Sequence, residues 1–342
     1  MLAIVADDLT GALDAAAPFA SRGLHTEIAL AIGAIPQALS EQPQVISINV
    51  ASRERDVAGA RMATAAALAA LPAGTRLFKK VDSRLKGHIA AELDVTPFRL
   101  ALMAPAIPDF GRIVRNGHVE GFGIDTPISV AETLGRHAEQ SIVPDVATFE
   151  DMSRWLHAAQ ERGIDVLVGA RGLAEALAHQ MTAGAKPLAA EIPHGPGLFV
   201  IGSRDPITLT QVDELLASHR PRFLPAQNGR LTGAAAAESP ITLVQTVPGP
   251  TPTDPQEVSR LLAESICPAL TDVASTLLLS GGATAEAVLE KMGITRFRLV
   301  GECLPGLGLA HADGRCIIAK SGGFGQPGTL REIADRILRN MG

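Results

Sequence analysis

The stretch LAIVADDLTGALDAAAPFASR, from Leu2 to Arg22, decides how the rest of the chain reads. Leu2–Ala6 is a continuous apolar run, the pattern of a strand buried on both faces. Asp7 and Asp8 follow, then Thr10 and Gly11, then an alanine-rich helical pattern over Ala12–Arg22. Strand, polar turn and helix in that order form the repeating unit of a parallel sheet. Ligands of such sheets sit beyond the carboxyl ends of the strands, where Asp7 and Asp8 fall. An aspartate there can accept a hydroxyl proton or bind sugar hydroxyls. The plainer alternative is that Asp8 or Thr10 only caps the helix.

The same alternation runs outward from this unit. Glu27–Ala31, Val45–Val50, Arg76–Lys80, Leu100–Ala104 and Val166–Val168 read as strands, followed by Leu198–Ile201, Ile241–Thr246, Thr276–Ser280, Phe297–Val300 and Cys316–Ala319. Helical patterns cover Val57–Leu71, Phe149–Arg162, Leu173–Met181, Leu209–Ser218, Pro255–Cys267, Ala285–Met292 and Leu330–Asn340. The expected class is α/β: two domains, each a mostly parallel sheet flanked by helices, with a cleft between them. A length of 342 residues suits two domains. The boundary is expected in Ala185–Gly197, rich in proline and glycine, which gives domains 1–190 and 198–342.

A net charge of −6 argues against a nucleic-acid-binding face, which needs a basic surplus. It leaves room for a small anionic ligand held by a few gathered cations. Cys267, Cys303 and Cys316 are odd in number and form no CxxC, so neither a disulfide framework nor a zinc site is expected. No signal-peptide order and no long apolar span occurs, so a cytoplasmic protein without membrane contact is expected.

Several strand ends carry chemistry. Lys79-Lys80-Val81-Asp82-Ser83-Arg84-Leu85-Lys86-Gly87-His88 packs cations, an acid and a hydroxyl directly behind an apolar strand. It reads as an anion clamp, with Arg84 gripping a carboxylate and Lys80 and Lys86 as point charges. A charged surface turn is the competing reading. Arg53 sits at another strand end. In the C-terminal half, Ser280-Gly281-Gly282-Ala283-Thr284 reads as a glycine turn, with Thr284 as N-cap of a helix whose N-terminus can take phosphate. Lys320-Ser321-Gly322-Gly323-Phe324-Gly325 can wrap a phosphate. Gly301–Gly308 and Ile201–Asp205, which includes Ser203, are further glycine-bearing strand ends. GxxxxGK[ST], GxGxxG in a first βα turn and GxSxG are all absent; Gly121-Phe-Gly123 and Gly306-Leu-Gly308 do not complete a dinucleotide fingerprint.

Taken together, ADDLTGALD (6–14), FKKVDSRLKGHIAAEL (78–93), APAIPDFGR (104–112), IGSRDPIT (201–208), SGGATAEAVL (280–289) and KSGGFG (320–325) resemble the four-carbon acid sugar kinase family, in the family's order. The resemblance implies an ATP-dependent kinase phosphorylating the terminal hydroxyl of an acid such as threonate, erythronate or 3-oxotetronate. It implies a sugar-acid-binding domain at the N-terminal end and a nucleotide-binding domain at the C-terminal end. It places Asp8, Arg53 and the segment Lys80–Arg84, with Asp82 and Ser83, at the acid. It places Ser203, Glu302, Pro305, Gly306, Gly322 and Gly323 at ATP. From the residues themselves, the loop amides at Gly281–Gly282 and Gly322–Gly323 would cradle the phosphates, with Lys320 adding charge. Asp8 or Asp82 would be the base, and Mg²⁺ would bridge the phosphates through Glu302 or water; the metal ligands stay open. A homodimer is compatible with the sequence. The competing class is a non-catalytic regulator that binds a sugar acid or a nucleotide; a lyase or dehydrogenase of similar acids is a further rival.

Overall fold

Strand β1 (Leu2–Ala6) is buried along its whole length, and helix α1 (Leu9–Ala20) follows after two residues. The helix starts earlier than the alanine pattern indicates because Asp8 stops the strand and caps it. Asp8 has extended backbone, and its Oδ1 accepts the Gly11 N–H at 2.8 Å.

The computed structural model describes residues 1–231 and 239–339. The chain forms two units, Met1–Leu188 and Ala189–Gly342. In the first, β1 is followed by β2 (Thr26–Ala29), β3 (Val45–Asn49), β4 (Arg76–Lys80), β5 (Ala101–Ala104), β6 (Arg112–Arg115), β7 (His118–Gly121), β8 (Ile128–Ser129), β9 (Ser141–Ile142) and β10 (Val166–Gly169). Its further helices are α2 (Ile35–Ser40), α3 (Val57–Ala69), α4 (Ile89–Leu93), α5 (Val130–Leu134), α6 (Phe149–Glu161) and α7 (Arg171–Met181).

A parallel sheet runs in the order β2-β3-β1-β4-β10-β5-β9. Ala3, Val5, Ile46 and Ile48 pack against Ile35, Ala38, Ala63 and Ala67 of α2 and α3, while Ser47 donates to the Ala12 carbonyl of α1. Both sheet faces are therefore covered, which is why these strands lack alternation. The chain leaves β1 to one side and returns to its other side at β4, with Ala6 opposite both Asn49 and Lys80. The segments after β3, β1 and β4 thus emerge side by side at a topological switch point, the usual place for a ligand in an open sheet. A small antiparallel sheet, β6-β7-β8, carries Arg112 and the turn at Gly123.

The second unit holds β11 (Gly197–Ile201), β12 (Arg222–Gln227), β13 (Arg230–Leu231), β14 (Ile241–Val247), β15 (Thr276–Ser280), β16 (Arg296–Leu304), β17 (Leu307–Ala312) and β18 (Arg315–Lys320). Its helices are α8 (Pro206–His219), α9 (Pro255–Ile266), α10 (Gly282–Lys291) and α11 (Thr329–Arg339). Strands β12-β14-β11-β15-β18 are parallel, with β13 antiparallel at one side and β17 and β16 antiparallel at the other. Phe199, Ile201, Leu243, Leu278 and Ile318 pack under Val212 and Leu215 of α8 and Leu330, Ile333 and Ile337 of α11.

The strand expected at Phe297–Val300 is one arm of a hairpin. Strand β16 runs on to Leu304 and turns through Pro305-Gly306 into β17. Proline followed by a glycine at φ +78 suits a type II turn. The expected helix end at Asn340 lies outside the described residues. Among those described, no helix is long and apolar enough to cross a membrane.

Candidate functional site

Arg53, after β3, lies across both acids that follow β1. Its Nε and Nη2 donate to the two oxygens of Asp7 at 2.8 and 2.9 Å, and its Nη1 donates to Oδ2 of Asp8 at 2.6 Å. The Asp7 carbonyl accepts the backbone N–H groups of Ser52 and Arg53 at 3.0 and 3.2 Å, which fixes the chain carrying the guanidinium. Asp82, after β4, stands 3.9 Å from Arg53 Nη2. The three strand ends therefore meet in one polar cluster.

A buried ion pair supports it. Lys79 Nζ lies 2.8 Å from Glu92 Oε2 and donates to the carbonyls of Val5 and Lys80, both at 3.2 Å. These three partners use all its protons. The other Glu92 oxygen accepts the Ser52 hydroxyl, next to Arg53. Lys80 is buried too; its Nζ donates to the Val81 carbonyl at 3.0 Å, and a methyl on Gly11 would lie 3.1 Å from it. Asp82 Oδ1 accepts the N–H groups of Arg84 at 2.8 Å and Lys86 at 3.4 Å, so this carboxylate shapes its own turn. The Arg84 and Lys86 side chains are exposed, and Ser83 is buried, accepting from Arg112 at 2.6 Å.

The two acids of β1 differ in proton affinity. Burial pushes the Asp7 carboxyl up, but Arg53, Lys79 and Lys80 outweigh it and hold Asp7 below the usual carboxylate range. Burial raises Asp8, Arg53 offsets this only in part, and the charge of Asp7 adds to the rise. Two carboxylates pushed apart in this way divide into an ion anchor and a proton acceptor.

In the second unit, three strand ends interlock. Gly202 and Ser203 after β11 donate to the Ser280 carbonyl at 3.0 and 3.2 Å, and Gly281 after β15 donates to the Lys320 carbonyl at 3.0 Å. A methyl on Gly322 would lie 2.2 Å from Ser203 Oγ and 3.2 Å from Asp205 Cβ, so glycine is needed for the close approach. Gly323 lies against Asp205, whose Oδ1 caps α8 through the Ile207 N–H at 2.9 Å.

Some expected roles shift. Thr284 is not the N-cap of α10; the cap is Gly281, and Thr284 is buried against Gly202, where a methyl would come within 1.8 Å of its Oγ1. No side chain caps α10, which leaves the N–H groups of Gly282, Ala283 and Thr284 without intrahelical partners. The Gly281 amide itself is spent on Lys320. Lys320 has no exposed surface; its Nζ donates to Thr208 Oγ1 at 2.9 Å and to the carbonyls of Ser321 and Gly322 at 3.0 and 3.2 Å. Burial pushes its ammonium down to about 8, with Asp205 acting the other way. It braces the glycine loop from behind. Glu302 Oε1 accepts the Gly306 N–H at 3.1 Å, and Gly306 packs against the Phe324 ring. Pro305 and Gly306 thus form a hairpin tip leaning on the loop that carries Gly322 and Gly323. Among the described residues no group of three or more His, Cys, Asp or Glu is poised to hold a metal.

Sequence reasoning passes over Lys79, Glu92 and Arg112 as site residues. Glu92 is the last residue but one of the motif 78–93 and Arg112 ends the motif 104–112, and membership of those motifs is the one available signal.

Residues 2–133 match the model of a sugar-binding N-terminal domain, and residues 236–330 that of a nucleotide-binding C-terminal domain. The chain belongs to the four-carbon acid sugar kinase family. Similar proteins include a D-threonate kinase of Bordetella bronchiseptica, 27% identical over 98% of this chain and 97% of that one. A 3-oxo-tetronate kinase of Cupriavidus necator is 24% identical over 100% and 97%. The fold is shared with a Salmonella typhimurium LT2 protein described as a tRNA synthase (TM-score 0.76, 17% identity, covering 100% of this chain and 99% of that one). It is also shared with Haemophilus influenzae protein HI1011 (TM-score 0.68, 19% identity, 98% and 100%).

Proposed function

We propose that the protein transfers the γ-phosphoryl group of ATP to the terminal hydroxyl of a four-carbon sugar acid of the threonate, erythronate or 3-oxotetronate type. The observation that carries this reading is the unequal pair Asp7 and Asp8 under Arg53. Asp7 is spent on holding Arg53, whereas Asp8 is partly exposed and has its proton affinity raised. Asp8 therefore suits a general base: its Oδ1 caps α1, and Oδ2, held by Arg53 and Thr10, is the oxygen that would take the proton.

In the transfer, the substrate hydroxyl gives its proton to Asp8 while its oxygen bonds to the γ-phosphorus. The bond from that phosphorus to the β–γ bridging oxygen breaks, and ADP leaves. In the second unit, the uncapped N–H groups of Gly282, Ala283 and Thr284 and the helix dipole suit the nucleotide phosphates. Gly322 and Gly323 let the backbone come close to them. Mg²⁺ would neutralise phosphate charge. Glu302 fits such an ion only in part, with one oxygen on Gly306, so the phosphates and water would supply most of its ligands.

The test is a panel of threonate, erythronate and 3-oxotetronate with ATP and Mg²⁺, read by product mass. A phosphate added to at least one acid is the expected result. Acid and nucleotide binding with no product from any of them favours the regulatory reading.

A further inference from the structure

Arg112 and Arg84 crowd the same point of the first unit, and among the described residues neither guanidinium is paired with a carboxylate there. A methyl on Gly123 would lie 2.7 Å from Arg84 Nη2 and 3.2 Å from Arg112 Nη2. Arg112 is 5% exposed, and among the described residues no ion pair joins either guanidinium to a carboxylate. Arg112 donates from Nε and Nη2 to the Phe122 carbonyl at 3.1 and 2.8 Å and from Nη1 to Ser83 Oγ at 2.6 Å. These bonds leave one N–H on each Nη. Ser83 accepts there and keeps its own proton to donate. Burial lowers the proton affinity of Arg112 and the charge of Arg84 lowers it further, while the Asp82 carboxylate offsets this only in part. Two neighbouring cations, one buried, lose stability unless an anion joins them. Paired forks of this kind match a planar carboxylate. Gly123, at φ +71, lets the backbone lie against both guanidiniums, where a side chain would fill the space.

We propose that Arg112, Arg84 and the Ser83 hydroxyl form the carboxylate subsite, with Arg112 as the residue that separates sugar acids from neutral sugars. This rests on the sugar-acid reading above and adds a residue that the sequence motifs leave without a role. Lysine at 112 keeps the charge but loses the planar fork and the hold on Phe122. Arg112→Lys therefore discriminates recognition geometry from charge alone.

The experiment is calorimetric titration of threonate, erythronate and 3-oxotetronate without nucleotide, and separately of ATP, into the wild type, Arg112→Lys and Arg84→Gln. Affinity for the best-bound acid should fall roughly 30-fold in each variant, as expected for lost hydrogen bonds to a charged group. ATP affinity should stay the same, and the weak binding of a neutral four-carbon polyol should not change. Arg84 is exposed, so its variant keeps the test alive if Arg112→Lys does not fold. Unchanged acid affinity in both folded variants overturns the subsite and leaves the kinase reading standing. Arginine-dependent acid binding without phosphoryl transfer supports the subsite and ends the kinase reading. Failure of every acid to bind the wild type, or tighter binding of inorganic phosphate at these arginines, overturns the proposal.

Discussion

Arg53 and Asp7 form a two-pronged pair, Nε and Nη2 on the two carboxylate oxygens at 2.8 and 2.9 Å, although 46 residues separate them. The pair is backed by backbone bonds from Ser52 and Arg53 to the Asp7 carbonyl. One charge of the cluster is thereby neutralised and immobile, and the third nitrogen of the fork is left to position Asp8. The arrangement prepares one carboxylate to take a proton beside another that never does.

Asp8→Asn should separate catalysis from stability. Asparagine keeps the N-cap, so α1 stays capped, but kcat should fall roughly 10²–10⁴-fold with loss of the base. The Asp8 carboxyl is raised in the fold, so the folded chain holds this proton more tightly than the unfolded one. Its stabilising contribution is present below the ordinary carboxylate range and is lost as pH rises through the raised value. The variant should therefore melt at or above the wild-type temperature at pH 7, with the gap closing as pH falls. A variant less stable at pH 7 contradicts this.

Asp7 runs the other way. Its carboxyl is held low, so its contribution is present above the ordinary range and lost on acidification. Asp7→Asn should cost about 3 kcal/mol at pH 7, as breaking a buried pair does, and urea denaturation at pH 7 and about pH 3, below the ordinary aspartate value, should show the difference shrinking at the lower pH.

Glu92→Gln removes the partner of a fully buried ammonium. Stability should drop by about 3–5 kcal/mol, and the Ser52–Arg53 segment should loosen. Lys79→Met combined with Glu92→Leu should recover much of the stability in denaturant titrations. Activity should not recover with it, because the Ser52 hydroxyl keeps no partner there.

Lys320 titrates at about 8 in the fold, below its ordinary value. Between those values the unfolded chain binds more protons, so this residue's share of stability falls as pH drops from about 10.5 to about 8 and is flat below. Lys320→Met should flatten the melting temperature over that interval. It should also raise the ATP KM, roughly ten-fold or more, since Thr208 and the Ser321 and Gly322 carbonyls lose a charged donor.

The parallel strands were the legible part of the fold. Arg76–Lys80 and Thr276–Ser280 begin and end where the apolar run meets charge or glycine. Strand β12 carries Pro225 and a mixed burial pattern, and β6, β7 and β8 are short and half polar, so no periodicity marks them. The site was legible as strand ends rich in charge or glycine. Its internal wiring was not, because Arg53 with Asp7, Lys79 with Glu92 and Arg112 with Ser83 meet only through tertiary contacts. Thr284 and Lys320 show the reverse case: a threonine behind Gly281-Gly282 and a lysine ahead of Gly322-Gly323 look like ligand groups, yet both side chains are buried, one packed on Gly202 and the other bonded to Thr208 and its own loop.

The central claim, transfer of phosphate from ATP to a hydroxyl of a four-carbon acid, is tested most directly with γ-labelled ATP, following the label by mass and NMR. The account predicts label on the terminal hydroxyl oxygen of one acid, with equimolar ADP and negligible label in inorganic phosphate. Label released as inorganic phosphate at a rate indifferent to the acid, or found on the carboxylate, would contradict it.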